Sequence, residues 1–161
     1  MKRRACYVSN SSSSSFVVVP FKVRKNARDG VHANENDLKK CFDDDRFHDG
    51  LLEGGETEFG WQNRKYSDTE SKWNWLVLQA AYADRDGESK YRAMLDDYIH
   101  EVNPALAIDW NAIYGKFDTI DAYIDHQSVD PQGTFDEIEE IGITEWLLNW
   151  DCFIQNGNDH E

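Results

Sequence analysis

The stretch SDTESKWNWLVLQAA, residues 67–81, decides the fold of this chain. Ser67 followed three residues later by Glu70 is the pattern of a capping box, which marks the start of a helix. Apolar residues then recur at intervals of three and four, as on one face of an α-helix; they are Trp73, Leu76, Val77, Ala80 and Ala81. The sequence therefore predicts a helix that ends near Asp86 and Gly87.

A second helix is predicted directly after the first. It begins at Glu88 and stops at Asn103, because Pro104 restricts the residue before it to extended backbone. Its apolar stripe comprises Tyr91, Met94, Leu95, Tyr98, Ile99 and Val102. With a short turn between them, the two helices are expected to form a helical hairpin.

The serine run SNSSSSSF, residues 9–16, lies between two apolar runs at residues 5–8 and 16–23. Both apolar runs are rich in β-branched residues, so we expect a strand, a Ser-rich loop and a second strand. Pro20 cannot donate a ladder hydrogen bond and therefore marks an edge position, a bulge or the end of the second strand.

Shorter signals surround these elements. Helices are predicted over residues 36–42 and 144–150, and another opens at a capping box formed by Thr134 and Glu137. Short strands are predicted at residues 56–61, 106–110 and 152–154. The pattern indicates an α+β fold: a small, mainly antiparallel sheet with the helical hairpin and further short helices packed on it. We expect one domain over residues 1–161.

The formal net charge of −14 at pH 7 is unevenly distributed. Residues 1–28 hold seven Lys or Arg and no Asp or Glu, whereas residues 29–161 form an acidic body with ten Lys or Arg against 31 Asp or Glu. Either the basic segment offsets the acidic body within the fold, or it faces an anionic ligand while the body meets a basic partner. Direct binding of duplex nucleic acid is not expected of the body, because neutralising phosphates requires a dense basic patch.

Cysteine usage and hydropathy bear on the cellular location. Cys6, Cys41 and Cys152 are odd in number and lack paired metal-ligand spacing, so they are expected to be reduced thiols in a cytoplasm. No stretch approaches the roughly 18 apolar residues that span a membrane, and no export signal is visible. We therefore expect a cytoplasmic protein with no membrane partner.

The serine run is the first candidate site. Consecutive serines in a loop can surround an anion with hydroxyl and backbone N–H groups, and Arg3, Arg4, Lys22 and Arg24 are expected nearby. The alternative interpretations are a solvated turn and modification of a serine. The run lacks the glycine pattern and the lysine of a Walker loop, which argues against that mode of nucleotide binding. The candidate anion-binding residues are Ser9, Asn10, Ser11, Ser12 and Ser13.

We predict no catalytic residues and no cofactor. The alternative is a site built on two Asp–His dipeptides, at residues 125–126 and 159–160. Asp125, His126 and Gln127 are candidate catalytic residues, because Asp and His serve as acid and base groups. If the C-terminal segment folded back, a divalent metal could be bound by Asp125, His126, Asp159 and His160. A weaker candidate for a divalent cation or acid–base site combines Glu56, Glu58, Tyr66, Asp68 and Lys72.

Four blocks of the sequence resemble recurrent segments of uncharacterised small proteins encoded by bacteriophages and bacteria. They are YVSNSSSSSFVVV (7–19), GETEFGWQNRKYSDTESKWNW (55–75), YIDHQS (123–128) and NGNDHE (156–161), of which the serine block is the most distinctive. The resemblance implies a phage-type accessory protein and carries no activity. If the blocks surround one cleft, Ser128 joins the ligand-binding serines, and the residues to test are Asp125, His126, Gln127, Ser128, Asn158 and Asp159.

Charge and resemblance together predict a non-enzymatic, phage-encoded protein in the bacterial cytoplasm. Its acidic surface would bind a basic host protein. One version of this hypothesis is a nucleic-acid mimic, because host proteins that handle nucleic acid carry basic grooves. The alternative is a metal-dependent hydrolase or phosphate-ligand enzyme built on the Asp–His dipeptides. A third hypothesis is a virion or assembly component. The sequence leaves the oligomeric state open.

Overall fold

The helix predicted around residues 67–81 lies at the centre of the fold. In the computed structural model, which describes residues 13–26, 33–60 and 64–158, it spans Thr69–Arg85 (α3), and every side chain from residue 71 to residue 81 is buried. Asp68 rather than Ser67 caps it by accepting the Ser71 N–H at 2.9 Å, so the predicted capping box is wrong by one residue. A helix buried on all sides must find partners for its polar side chains.

The helical hairpin is confirmed. The second helix, α4, spans Lys90–Val102 and follows a turn at Gly87, whose φ of +95° suits a glycine. It buries Tyr91, Leu95 and Ile99. Met94, predicted on the same stripe, is 42% exposed. One part of the apolar surface of α4 therefore faces outward.

Within the described residues, the main sheet has three antiparallel strands. These are β1 (Ser13–Val18), β5 (Arg64–Tyr66) and β7 (Phe153–Asn158), in the order β1-β7-β5. The register of β1 on β7 runs from Ser13 opposite Asn158 to Val18 opposite Phe153. The small antiparallel sheet and the α+β class are therefore as predicted.

The predicted arrangement of the N-terminal segment is partly wrong. The strand begins inside the serine run, because Ser13, Ser14 and Ser15 pair with β7 instead of forming a loop. The chain after Pro20 does not continue as a strand but forms a short helix, α1 (Phe21–Lys25), whose first turn is closed by hydrogen bonds to the Pro20 carbonyl. The predicted strand at residues 5–8 lies outside the described residues.

Two smaller strand pairs flank the core. β2 (Phe47–His48) pairs antiparallel with β3 (Leu51–Leu52), and β4 (Glu58–Phe59) pairs parallel with β6 (Tyr123–Ile124). The predicted strand at residues 106–110 is wrong: Trp110 begins helix α5 (Trp110–Thr119), because the Asp109 carboxylate caps it by accepting the Ala112 N–H.

Three further helices complete the described fold. α2 (Glu35–Cys41) opens with a capping box between Asn34 and Asp37. α6 (Pro131–Glu139) is capped by Asp130 and starts before Thr134, so the capping box predicted at Thr134 is wrong, and α7 spans Ile143–Leu148. These helices and the sheet share one cluster of buried apolar residues, which includes Trp73, Trp75 and Trp146. Among the described residues, no helix is long and apolar enough to cross a membrane.

Candidate functional site

A buried polar network joins distant parts of the chain. The Ser15 N–H donates to the Ser128 hydroxyl oxygen at 2.7 Å, and the Ser15 hydroxyl donates to the side-chain oxygen of Asn156. All three residues are at most 1% exposed. Ser15 therefore ties the central strand β7 to the short 3₁₀ turn at His126–Ser128.

The network continues along the sheet to β5. The Asn156 amide lies 3.5 Å from the Tyr66 hydroxyl, which in turn donates to the Glu56 carboxylate at 3.3 Å. Burial, and next the charge of Glu56, raise the pKa of Tyr66 to about 12, so the phenol remains a donor at neutral pH. Each of the four blocks singled out in the sequence contributes a residue to this network: Ser15, Glu56 with Tyr66, Ser128 and Asn156.

Asp125 and His126 lie where β6 meets the 3₁₀ turn. Asp125 is buried, and its backbone N–H donates to the Phe59 carbonyl at 2.9 Å, whereas the His126 side chain is 87% exposed. The His126 Nδ1 lies 3.5 Å from the Asp125 carboxylate. Burial raises the pKa of Asp125, and the nearby His126 partly opposes this. The catalytic role considered for Asp125, His126 and Gln127 stays a prediction.

No group of three or more His, Cys, Asp or Glu side chains within the described ranges could hold a metal ion. Asp159 and His160 lie outside those ranges, so their predicted convergence with Asp125 and His126 stays a prediction. Glu56 bonds Tyr66 and lies 3.8 Å from Arg64, while Glu58 on β4 is exposed. The Glu56 carboxylate is thus used within the polar network.

The predicted anion site is described only in part. Ser9, Asn10, Ser11 and Ser12 lie outside the described residues, and Ser13 pairs with Asn158 at the end of the sheet. The Ser128 hydroxyl is buried and accepts a backbone hydrogen bond. Anion binding by these residues stays a prediction.

Of the four cations expected near the serines, Lys22 and Arg24 bind carboxylates, and Arg3 and Arg4 lie outside the described residues. Lys22 lies 2.8 Å from Asp151, and Arg24 contacts both Glu137 and, at 3.1 Å, Glu140. These pairs favour the interpretation in which basic residues near the N-terminus offset the acidic body within the fold.

Lys72 is a buried lysine that helical periodicity does not identify. Lys72 on α3 is fully buried, and its ammonium donates to the backbone carbonyls of Trp146, Asn149 and Cys152 at 2.6, 2.8 and 3.2 Å. Burial lowers the pKa of Lys72 to about 7, while the three carbonyls supply acceptors for the charged form. Lys72 therefore fastens the C-terminal end of α7 to the central helix.

Two helices, α4 and α6, carry exposed negative charge. After Lys116 the sequence contains twelve Asp or Glu and no Lys or Arg. Four exposed carboxylates, which we name the acidic face, lie on these two helices: Asp97, Glu101, Asp136 and Glu139. None of the four forms an ion pair within the part of the chain that the structure describes.

A groove of about 390 Å³ lies between α4 and α6 and reaches the acidic face. Its apolar lining comprises Tyr91, Met94, Phe135, Ile138 and Ile143. Lys90, Asp136 and Glu139 also line it. The sequence pattern did not identify this groove because helical periodicity assigned Met94 to the buried stripe.

In comparisons with known proteins, no protein-family model, no curated protein and no solved structure matches this chain. The resemblance of the four blocks to phage and bacterial proteins therefore stays a prediction.

Proposed function

We propose that this protein binds a basic partner protein through the acidic face and catalyses no reaction of its own. The observation that carries the proposal is the set of four exposed carboxylates on α4 and α6 that have no ion-pair partner among the described residues. Exposed carboxylates without ion-pair partners create a negative potential at a surface, which attracts a positively charged partner and accelerates its association.

The ion pairs of the basic N-terminal segment support the same proposal. Lys22 and Arg24 are held by Asp151, Glu137 and Glu140. These cations therefore neutralise carboxylates that do not line the groove, and the acidic face keeps its charge. A partner with a basic surface is the complement of such a face.

The resemblance of the four blocks supplies the biological setting of the proposal. In that setting the protein is a phage-type accessory protein that binds a host protein in the bacterial cytoplasm. Host proteins that handle nucleic acid have basic grooves, and an acidic surface can occupy such a groove as a nucleic-acid mimic.

Salt dependence is the first test. A partner is isolated from bacterial lysate with the tagged protein, and the purified pair is titrated at several salt concentrations. Since exposed charges are screened over about 10 Å at 0.1 M salt, we expect the Kd to rise by roughly tenfold or more between about 50 and 300 mM salt. A Kd that does not change with salt contradicts the proposal.

Charge-neutralising variants test which surface binds. The first variant combines Asp97→Asn, Glu101→Gln, Asp136→Asn and Glu139→Gln, and we expect it to weaken binding by about tenfold or more. The matched control removes the same formal charge at other exposed positions: Asp44→Asn, Asp45→Asn, Glu53→Gln and Glu58→Gln. Equal losses in both variants would assign binding to net charge and contradict a role for the acidic face.

Competition with duplex DNA tests the mimic. If the protein occupies a nucleic-acid groove, DNA and the protein exclude each other from the partner. Simultaneous binding of both would overturn the mimic while leaving the proposed interaction with a basic protein in place.

A further inference from the structure

We propose that the groove between α4 and α6 receives the apolar side of an amphipathic basic helix of the partner protein, an inference that rests on the proposed function. The acidic face would then attract the partner, and the groove would hold it. This division of roles is common at protein interfaces, where charge steers association and buried apolar anchors supply most of the affinity.

The walls of the groove combine a fixed part with an adaptable part. The rings of Tyr91 on α4 and Phe135 on α6 are both buried and stack with their centroids 4.5 Å apart. Met94 lies at the surface of the groove with 42% of its area exposed. A thioether side chain adapts its shape to a bound apolar group, which suits Met94 to the contact with a partner.

The spacing of residues along α4 matches a helical partner. Lys90, Met94, Asp97 and Glu101 recur at intervals of four, three and four, so they share one exposed face of the helix. Asp136 and Glu139 on α6 line the opposite side of the groove. A helix lying along α4 would therefore contact apolar surface with carboxylates on both sides.

Charge complementarity selects the partner. The acidic face carries four carboxylates, whereas the groove is lined by one lysine, Lys90. The Lys90 ammonium lies 5.1 Å from the centroid of the Tyr91 ring. The complement is a helix with apolar residues on one face and Lys or Arg along its edges, which is the helix-in-groove mode of recognition. A neutral or acidic apolar helix would leave these carboxylates without partners.

The test uses three synthetic peptides of about 18 residues. The first has leucine on one helical face with Lys and Arg beside it, the second has the same composition in scrambled order, and the third has Glu in place of each Lys and Arg. Fluorescence anisotropy measures their Kd for the full chain. We expect the first to bind about tenfold more tightly than either of the others.

Two variants separate the groove from general apolar exposure. Met94→Glu places a charge in the groove, and we expect it to weaken binding of the first peptide by about tenfold. The control, Ile120→Glu, changes a residue that is 63% exposed and does not line the groove, and should bind as the unchanged protein does. Equal effects of both variants would overturn the proposal.

Methionine methyl signals test the site without a substitution. The chain contains two methionines, Met1 and Met94, so methyl-labelled methionine gives two signals. The first peptide should shift the Met94 signal, and the scrambled peptide should not. An unchanged Met94 signal at saturating peptide would overturn the proposal even if binding occurred.

Three other outcomes of these experiments would overturn the proposal. Equal, salt-sensitive binding of the first and scrambled peptides would overturn the proposed role of the groove and leave the proposed function in place. The proposed function is tested separately, by the salt titration with the isolated partner. Binding of the Glu peptide as tightly as the basic one would overturn the charge argument. Self-association of the protein that Met94→Glu abolishes would identify a second copy of this chain as the occupant and overturn the proposal.

Discussion

The hydroxyl oxygen of Ser128 accepts a hydrogen bond from the backbone nitrogen of Ser15, 2.7 Å away and 113 residues apart in the chain. Both residues are fully buried. The contact fixes the 3₁₀ turn that follows Asp125 against strand β1 of the main sheet. It also gives a direct test of whether the blocks seen in the sequence meet for a structural reason.

We predict that Ser128→Ala lowers the free energy of unfolding by about 1–3 kcal/mol, because the Ser15 N–H is left buried without an acceptor. Urea denaturation measures the change. The control is Ser89→Ala, since Ser89 is exposed and its side chain does not cap α4; its effect should stay within about 0.5 kcal/mol. Equal changes in the two variants would show that the contact does not stabilise the fold.

The pH dependence of stability should reveal Lys72. Its pKa is lowered by burial from 10.5 to about 7, so between pH 7 and 10 the unfolded chain binds more protons than the folded chain at this site. The free energy of unfolding of the unchanged protein, relative to Lys72→Met, should therefore rise with pH above 7, by about 1 kcal/mol per pH unit.

Denaturation between pH 6 and 8 checks this prediction. Burial raises the pKa of Cys152 to about 11, and the upper limit of pH 8 keeps that thiol mostly protonated in both states. Lys39→Met, at an exposed position on α2, serves as the control and should follow the unchanged protein. A constant difference between the unchanged protein and Lys72→Met across this range would contradict the lowered pKa.

The Asn74 side chain should be essential to the position of β3. Its amide accepts the Leu52 N–H at 2.7 Å and donates to the carbonyls of Leu52 and Glu56. Asn74→Leu keeps a similar volume but leaves these buried groups without partners, so we expect a loss of about 2–4 kcal/mol. Asn36→Leu, on the exposed side of α2, should change stability by less than about 0.5 kcal/mol in the same thermal or urea melts.

Glycine substitutions at two positions should have opposite effects. Gly60 has φ +120°, and a Cβ there would lie 2.4 Å from the Asp125 Cβ, so Gly60→Ala should destabilise the fold by about 2–4 kcal/mol. Gly115 lies within α5 with open space around its Cα, so Gly115→Ala should stabilise it by about 0.5–1 kcal/mol. A Gly60→Ala variant as stable as the unchanged protein would contradict the close approach of β4 to Asp125.

The helical hairpin could be predicted from the sequence because its signal is local: apolar residues at intervals of three and four recur over several turns of α3 and α4. Helix starts were less predictable, because several side chains compete to cap them. Asp68 caps α3 in place of the predicted Ser67, and Asp130 caps α6 in place of the predicted Thr134. Aspartate caps a helix at least as well as serine or threonine.

Elements that depend on distant contacts could not be predicted. Ser15 carries no strand signal of its own, and its place in β1 is set by Asn156 and Ser128, more than a hundred residues away. Lys72 is a helix-forming residue whose burial depends on the carbonyls at the end of α7. Helical periodicity placed Met94 on the buried stripe, but whether a stripe is covered depends on which helix packs there.

The central position of β7 also governs when this protein can fold during synthesis. β7 is the last strand in chain order within the described residues, yet both β1 and β5 pair with it. A ribosome-bound chain therefore carries β1 and β5 without β7 until residues 153–158 have emerged, and the sheet then closes over more than 130 residues of intervening chain. The sheet therefore assembles only after β7 is available, and this step is comparatively slow. Until then the exposed strand edges can bind chaperones or aggregate.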